Sequence, residues 1–146
     1  MGQTCGEIMT RNPACCEPGY TVEQVAVLMR QHNVGSVPVV ETLASQDLVG
    51  IVTDRDLTIK VLAEGRDPRH ATVGEVMTPR PITCNPEDQI SRALETMARH
   101  QVRRLPVVDR GKVIGIIAQA DIATRLNAPA DTAALVEEIS REWKDM

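Results

Sequence analysis

Phenylalanine is absent from the 146 residues, and Tyr20 and Trp143 are the whole aromatic complement. So few rings leave no platform for stacking on single-stranded nucleic acid, and the core has to be packed from Val, Ile, Leu, Met and Ala. A dominant basic charge is missing too. Sixteen Lys and Arg against 20 Asp and Glu leave a net charge of −4, with no long basic run, which argues against general affinity for DNA or membranes. Nowhere do about 18 apolar residues run together, and residues 1–12 lack the apolar stretch of a secretory signal, so a soluble cytoplasmic protein is expected. Cys5, Cys15, Cys16 and Cys84 form no C-x-x-C pair, and no nearby histidine completes a zinc spacing. Reduced thiols and no metal site are therefore expected. No nucleophile with a paired base, supported carboxylate dyad or phosphate-cradling Walker loop is present either, so the chain does not read as an enzyme.

What is present is one unit written twice. Shifted by 68 positions, Thr4-Cys5-Gly6-Glu7-Ile8-Met9-Thr10 lies on Thr72-Val73-Gly74-Glu75-Val76-Met77-Thr78. The register continues without a gap through Pro13/Pro81, Cys16/Cys84, Pro18/Pro86, Met29/Met97 and His32/His100, to Val37-Pro38-Val39-Val40 over Leu105-Pro106-Val107-Val108. A turn three residues longer in the first copy (Thr42 to Asp47) intervenes before Leu48-Val49-Gly50-Ile51-Val52 meets Val113-Ile114-Gly115-Ile116-Ile117. A period this sustained is a duplication. Copies of this size have thin cores and are expected to need each other.

Each copy reads as β-α-β-β-α behind a short opening helix. Thr4-x-x-Glu7 and Thr72-x-x-Glu75 are capping boxes near the Met-Thr pairs. Short extended pieces, Ala14 to Glu17 and Ile82 to Asn85, end at Pro18 and Pro86. Amphipathic helices follow, with Val22, Val25, Leu28 and Met29 on one face, and Ile90, Ala93, Leu94 and Met97 on the other copy's. Hairpins then join 36–40 to 48–53 and 104–108 to 113–118, the second through Asp109-Arg110-Gly111-Lys112 with its glycine free to take positive φ. Closing helices start at Asp54 and Gln119. Leu135, Val136, Ile139 and Trp143 form a helical stripe in the tail, which packs on its own body or on a partner.

The strand-to-helix junction Gly50-Ile51-Val52-Thr53-Asp54-Arg55-Asp56 carries the most chemistry. Thr53 with Asp56 three positions on is a helix-start signature that needs no ligand. The same junction aims backbone N–H groups outward, as an anion requires, and a carboxylate there can accept both hydroxyls of a ribose. The second copy reads Gly115-Ile116-Ile117-Ala118-Gln119-Ala120-Asp121. Ala118 cannot cap, so Asp121 is not half of a capping box, and the two candidate sites are unequal. His32 and His100 end equivalent helices, where a cation complements the helix dipole.

The paired Met-Thr starts, the Val-x-x-x-Pro-Val-Val runs and the Gly-Ile-Val-Thr-x-x-Asp segment resemble a tandem CBS-domain pair, or Bateman module, over residues 4–126. The likeness extends to small stand-alone bacterial CBS proteins of the hypoxic-response or stress class through Ile59-Lys60-x-Leu62-Ala63-x-Gly65-x-Asp67-Pro68. It implies an α/β (α+β) fold of two β-α-β-β-α repeats packed with pseudo-two-fold symmetry, with CBS domains at 8–67 and 76–132 and a C-terminal helical tail at 133–146. It also implies two clefts that take an adenosyl ligand such as AMP, ADP, ATP, S-adenosylmethionine or NAD(H). Asp56 and Asp121 would hold ribose, Thr53 would lie beside phosphate, and backbone groups of Ala14, Cys15 and Cys16 and of Ile82, Thr83 and Cys84 would hold adenine. Arg103 and Arg104 would face phosphate, for which the planar guanidinium is suited; a solvated surface pair is the alternative. The resemblance thus points to a non-catalytic sensor with no obligatory cofactor, a homodimer reporting an adenine nucleotide to an effector protein. A ligand-independent structural or interaction protein, and a thiol- or metal-based stress sensor using Cys16 and Cys84, are the other readings.

Overall fold

Proline in the middle of each apolar strand is the first thing the fold must accommodate. In the computed structural model, which describes residues 3–125, strand β2 (Ser36–Val40) is buried throughout and pairs antiparallel with β3 (Leu48–Thr53). On its other side β2 meets the extended piece in parallel at Cys16, where Cys16 N–H donates to Pro38 O (3.1 Å) and Val40 N–H to Cys16 O (2.9 Å). That pattern uses the carbonyl of Pro38 and never its missing N–H, so proline costs the ladder nothing. The second copy repeats it: Cys84 N–H donates to Pro106 O (3.1 Å) and Val108 N–H to Cys84 O (2.9 Å).

Ahead of these strands lie helix α2 (Val22–His32) and its counterpart α5 (Ile90–His100). Thr21 caps α2: its hydroxyl accepts from Gln24 N–H (3.1 Å), and the Gln24 side chain accepts from Thr21 N–H (2.8 Å). Both helices end on a left-handed residue, Asn33 and Gln101, which turns the chain into the following strand. The buried faces are those the periodicity predicts: Val22, Val25 and Met29 in α2, and Ile90, Ala93, Leu94 and Met97 in α5. Leu28 is only partly buried. The second hairpin joins β5 (Arg104–Asp109) to β6 (Lys112–Ala118). Arg110 and Gly111 both take positive φ in its turn (54° and 82°), the twist a two-residue hairpin loop favours.

Helix α1 (Cys5–Ile8) with β1 (Thr10–Arg11), and α4 (Val73–Val76) with β4 (Thr78–Pro79), lead the two copies. Each leader packs on the body of the other copy. Strand β1 pairs with β6 (Thr10↔Ile116), and β4 pairs with β3 (Ile51↔Thr78). The sheets are accordingly β1-β6-β5 and β2-β3-β4. The described residues form two compact units: one takes those up to Asn12, Ile82–Asp109 and those from Ile114 on, and the other takes Pro13–Pro81 with Arg110–Val113.

The cores mirror this exchange. Cys5, Ile8 and Met9 join Cys84, Leu94, Met97, Leu105, Val107, Ile117 and Ile122 in one. Val73 and Val76 join Cys16, Val25, Val37, Val39 and Val52 in the other. At the Thr4 start Glu7 accepts from both the Thr4 N–H (3.1 Å) and hydroxyl (2.9 Å). At Thr72 the hydroxyl donates to Glu75 (3.0 Å), but the Thr72 side chain accepts no helix N–H. Arg66 also holds Glu75 and, with Thr72, keeps its carboxyl below the usual range.

The first closing helix differs from a plain α-helix. After one turn, α3 (Asp54–Asp56), it widens into a π-helix over Leu57–Leu62, with Ala63 N–H donating to Thr58 O (2.9 Å). The Thr58 hydroxyl donates to the Asp54 carbonyl (3.0 Å), the local competition that bends helices at threonine. The second copy closes with α6 (Gln119–Arg125). The expected tail helix at 133–146 lies outside the described residues.

Candidate functional site

Register brings the candidate groups of each unit to one end of its sheet. Thr53 pairs with Ser36 at the start of β2, and Asp54 N–H donates to Gly35 O (2.9 Å). On the far side of β2, Cys16 bridges Val39 in parallel, so Ala14 and Cys15 run back toward the same start of β2. Cys16 spends both backbone groups on β2. Among the described residues the backbone groups of Ala14 and Cys15 make no hydrogen bond, which leaves this stretch able to hold the edge of a planar ligand. The Cys15 thiol donates to Pro13 O (3.4 Å). Burial pushes Cys15 up to about 11, and burial with the nearby Cys15 and Glu17 pushes Cys16 up to about 12. Both are protonated, unreactive thiols at neutral pH.

At the junction Thr53 caps α3. Its hydroxyl accepts from Asp56 N–H (3.2 Å) and donates to Asp56 Oδ2 (3.1 Å), which also accepts from Thr53 N–H (2.9 Å). Asp56 Oδ1 pairs with Lys60 Nζ (3.1 Å), and Lys60 donates onward to Val76 O (2.9 Å). The carboxylate is 13% exposed and held from both oxygens. It is fixed in orientation: Oδ2 already accepts two bonds, and one lone-pair position is left on Oδ1 for a ligand hydroxyl. Lys60 is the member of this cluster that motif reading does not assign to the site. Its signal is the Asp–x–x–x–Lys spacing, which stacks the two side chains on one helix face.

The other unit has the same frame with different side chains. Gln119 N–H donates to Arg103 O (2.9 Å), the counterpart of Asp54 on Gly35. Arg103 and Arg104 are half-buried where β5 begins, and Ile82 and Thr83 are exposed ahead of Cys84. Among the described residues the backbones of Ile82 and Thr83 make no hydrogen bond. Asp121 is half-buried in the first turn of α6. With Ala118 in place of threonine, its carboxylate makes no hydrogen bond or ion pair among the described residues. One acid is therefore locked and the other open. His32 and His100 are exposed at their helix ends.

Comparison with known proteins assigns this frame. The CBS domain family matches residues 5–63 and 73–128. The chain belongs to the CBS domain family. As a CBS pair it is similar to the CBS domain-containing protein YhcV of Bacillus subtilis, 38% identical over 136 residues, or 93% of this chain and 94% of YhcV. Hypoxic response protein 1 of Mycobacterium tuberculosis is 37% identical over 123 residues, covering 84% of this chain and 85% of that protein. A crystal structure of that protein with two coordinated zinc ions superposes with a TM-score of 0.76, at 36% identity over 84% of this chain and 98% of the other. The CBS domain pair of protein MJ0100, in complex with 5-methylthioadenosine and S-adenosyl-L-methionine, has a TM-score of 0.78 at 25% identity, over 87% of this chain and 98% of the other. In this CBS pair no group of three His, Cys, Asp or Glu side chains among the described residues is placed to hold a metal ion. No helix among them is long and apolar enough to cross a membrane.

Proposed function

We propose that this CBS pair is a non-catalytic, cytoplasmic regulatory module that binds an adenosyl ligand and, as a homodimer, reports it to an effector protein. One observation carries the reading. In each unit an extended stretch with unspent backbone groups (Ala14–Cys15, Ile82–Thr83) and an acid of a strand-to-helix junction (Asp56, Asp121) meet at the same end of the sheet. The stretch has the hydrogen-bonding edge an adenine needs; Asp121 can accept both ribose hydroxyls, and Asp56 one of them on its Oδ1. A base held by backbone and aliphatic walls needs no aromatic cage, in keeping with a chain that lacks phenylalanine. The complex of MJ0100 with two adenosyl compounds supports the ligand class.

The units differ in what they offer next. Thr53 gives the first a hydroxyl beside the helix start, whereas Arg103 and Arg104 give the second the positive charge that phosphate or the sulfonium's carboxylate demands. Signalling then follows from linkage: a ligand that binds one arrangement better raises that arrangement's population.

Calorimetric titration of the full chain with S-adenosylmethionine, AMP, ADP, ATP and NAD(H) tests this. At least one should bind below millimolar concentration. Asp56→Asn and Asp121→Asn should each weaken one class of site by about tenfold, equivalent to about 1.4 kcal/mol. Silence from every ligand would leave a ligand-independent interaction protein as the reading. Affinities unchanged in both variants would overturn the site.

A further inference from the structure

Cys5 and Cys84 are separated by more than one whole repeat in sequence and sit in one core. Cys5, the first residue of α1, is 0% exposed and Cys84 is 6% exposed. Three main-chain bonds hold the leader against the segment that follows Cys84: Cys5 N–H to Asp88 O (2.8 Å), Gly6 N–H to Pro86 O (2.9 Å) and Ile90 N–H to Gln3 O (3.1 Å). The approach at Gly6 is so close that a Cβ there would lie 3.1 Å from both Pro86 Cβ and Pro86 O. Glycine next to Cys5 is what lets the two chain segments come this near, and it brings Cys5 over the residues adjoining Cys84. Both side chains lie in one buried core cluster, where the Cys84 thiol donates to Pro106 O (3.9 Å).

We propose that Cys5 and Cys84 are a reversible redox pair, oxidised by a hydroperoxide to a disulfide that ties the leading segment covalently to the body of the second copy. This goes beyond the ligand-binding reading and does not depend on it. Interaction with the Cys84 thiol holds Cys5 below its ordinary value, whereas the same interaction and burial push Cys84 up. Cys5 is therefore the attacking sulfur and Cys84 the resolving one.

The Cys5 thiolate attacks one oxygen of hydrogen peroxide. The O–O bond breaks, the hydroxide released is protonated to water, and Cys5 becomes a sulfenic acid. Cys84 sulfur then attacks Cys5 sulfur, so that an S–S bond forms and the S–O bond breaks. The departing hydroxide takes the Cys84 proton as a second water. Two electrons have left the sulfur pair, and one peroxide has become two waters; a dithiol reductant reverses the exchange. Both thiols are buried, so oxidation requires that local opening of the one-turn α1 admit the small oxidant.

The other unit supplies an internal control. The position equivalent to Cys5 is Val73, whose N–H donates to Tyr20 O (2.8 Å) as Cys5 does to Asp88. Cys16 therefore faces the same niche without a second thiol, and Cys15, its neighbour in sequence, is pushed up to about 11 by burial.

Treating the full chain with hydrogen peroxide and mapping non-reduced peptides by mass spectrometry tests the pair. The expected result is a linkage between the Cys5 and Cys84 peptides, loss of two of the four thiols and recovery with dithiothreitol. The Cys5 and Gly6 amides should exchange about tenfold more slowly once oxidised. Cys16→Ala should leave the linkage intact, and Cys84→Ala should abolish it. If Cys84→Ala fails to fold, the wild-type peptide map decides alone. A linkage through Cys15 or Cys16, one between chains, or four thiols surviving peroxide would overturn the proposal.

Discussion

The hydroxyl of Thr53 does two things at once: it receives the Asp56 N–H at 3.2 Å and donates to the Asp56 carboxylate at 3.1 Å. Ala118, at the same point of the second copy, can do neither. The difference is testable in both directions. Thr53→Ala should lower stability at the first junction by about 1 kcal/mol, the usual loss for an N-cap. Ala118→Thr should gain up to a similar amount by giving Asp121 a capping partner. Amide exchange at Asp56 and Asp121 reads the two junctions separately. Equal exchange in all three proteins would mean that the cap contributes nothing to either helix. The carboxyl pair was legible in the sequence as spacing, because Thr–x–x–acid after a strand has few uses. Its ambiguity between cap and ligand was not resolvable there, because both need the same atoms. The structure separates them by copy: Asp56 is a cap member with one acceptor position left, on Oδ1, and Asp121 makes no capping bond among the described residues.

Between elements, the glycine of each Gly-Ile segment marks where a leader crosses a sheet. A Cβ on Gly50 would lie 2.5 Å from Met77 Sδ and 3.0 Å from Thr78 O, and one on Gly115 would collide with Met9 and lie 2.9 Å from Thr10 O. Methionine can shift its flexible end, but the carbonyl belongs to the pairing strand and cannot. Gly50→Ala should therefore push β4 off β3 at a cost of about 1–3 kcal/mol, and Gly115→Ala should do the same to β1 on β6. Thermal denaturation of the two variants checks this, and an unchanged midpoint in both would refute the close approach. The hairpins and long helices were legible because their apolar periods run for several residues. The leaders' strands, two residues each, are too short to show alternation. The π-helix over Leu57–Leu62 was hidden for a different reason: a backbone widening leaves no mark on the apolar pattern. The Thr58 bond onto Asp54 O does not foretell it, since Thr96 and Thr124 make the same bond in the regular helices α5 and α6.

For the whole chain, the exchange of leaders changes what counts as a folding unit. The repeat boundary read from sequence similarity falls after residue 67, yet the core around Cys16, Val25 and Val52 is completed by Val73 and Val76. The sheet there is likewise completed by β4, through Ile51↔Thr78. A fragment 1–67 would keep a leader whose partner strand, β6, it lacks, and would leave the β3 edge bare. A fragment 13–81 drops the unpartnered leader and retains α4 and β4. It still lacks residues 110–113, which belong to that unit, so its fold should be weakened rather than lost. In small domains a few buried aliphatic side chains, worth roughly 1.5–3 kcal/mol each, are most of the net stability. The second fragment should therefore show cooperative unfolding and protected β2 and β3 amides, while the first, of nearly equal length, should show neither. Circular dichroism melts and hydrogen exchange on the two peptides distinguish them. Cooperative folding of 1–67 alone would mean that each copy can close on its own leader. The exchange would then be one of two accessible arrangements rather than the condition for having a core at all.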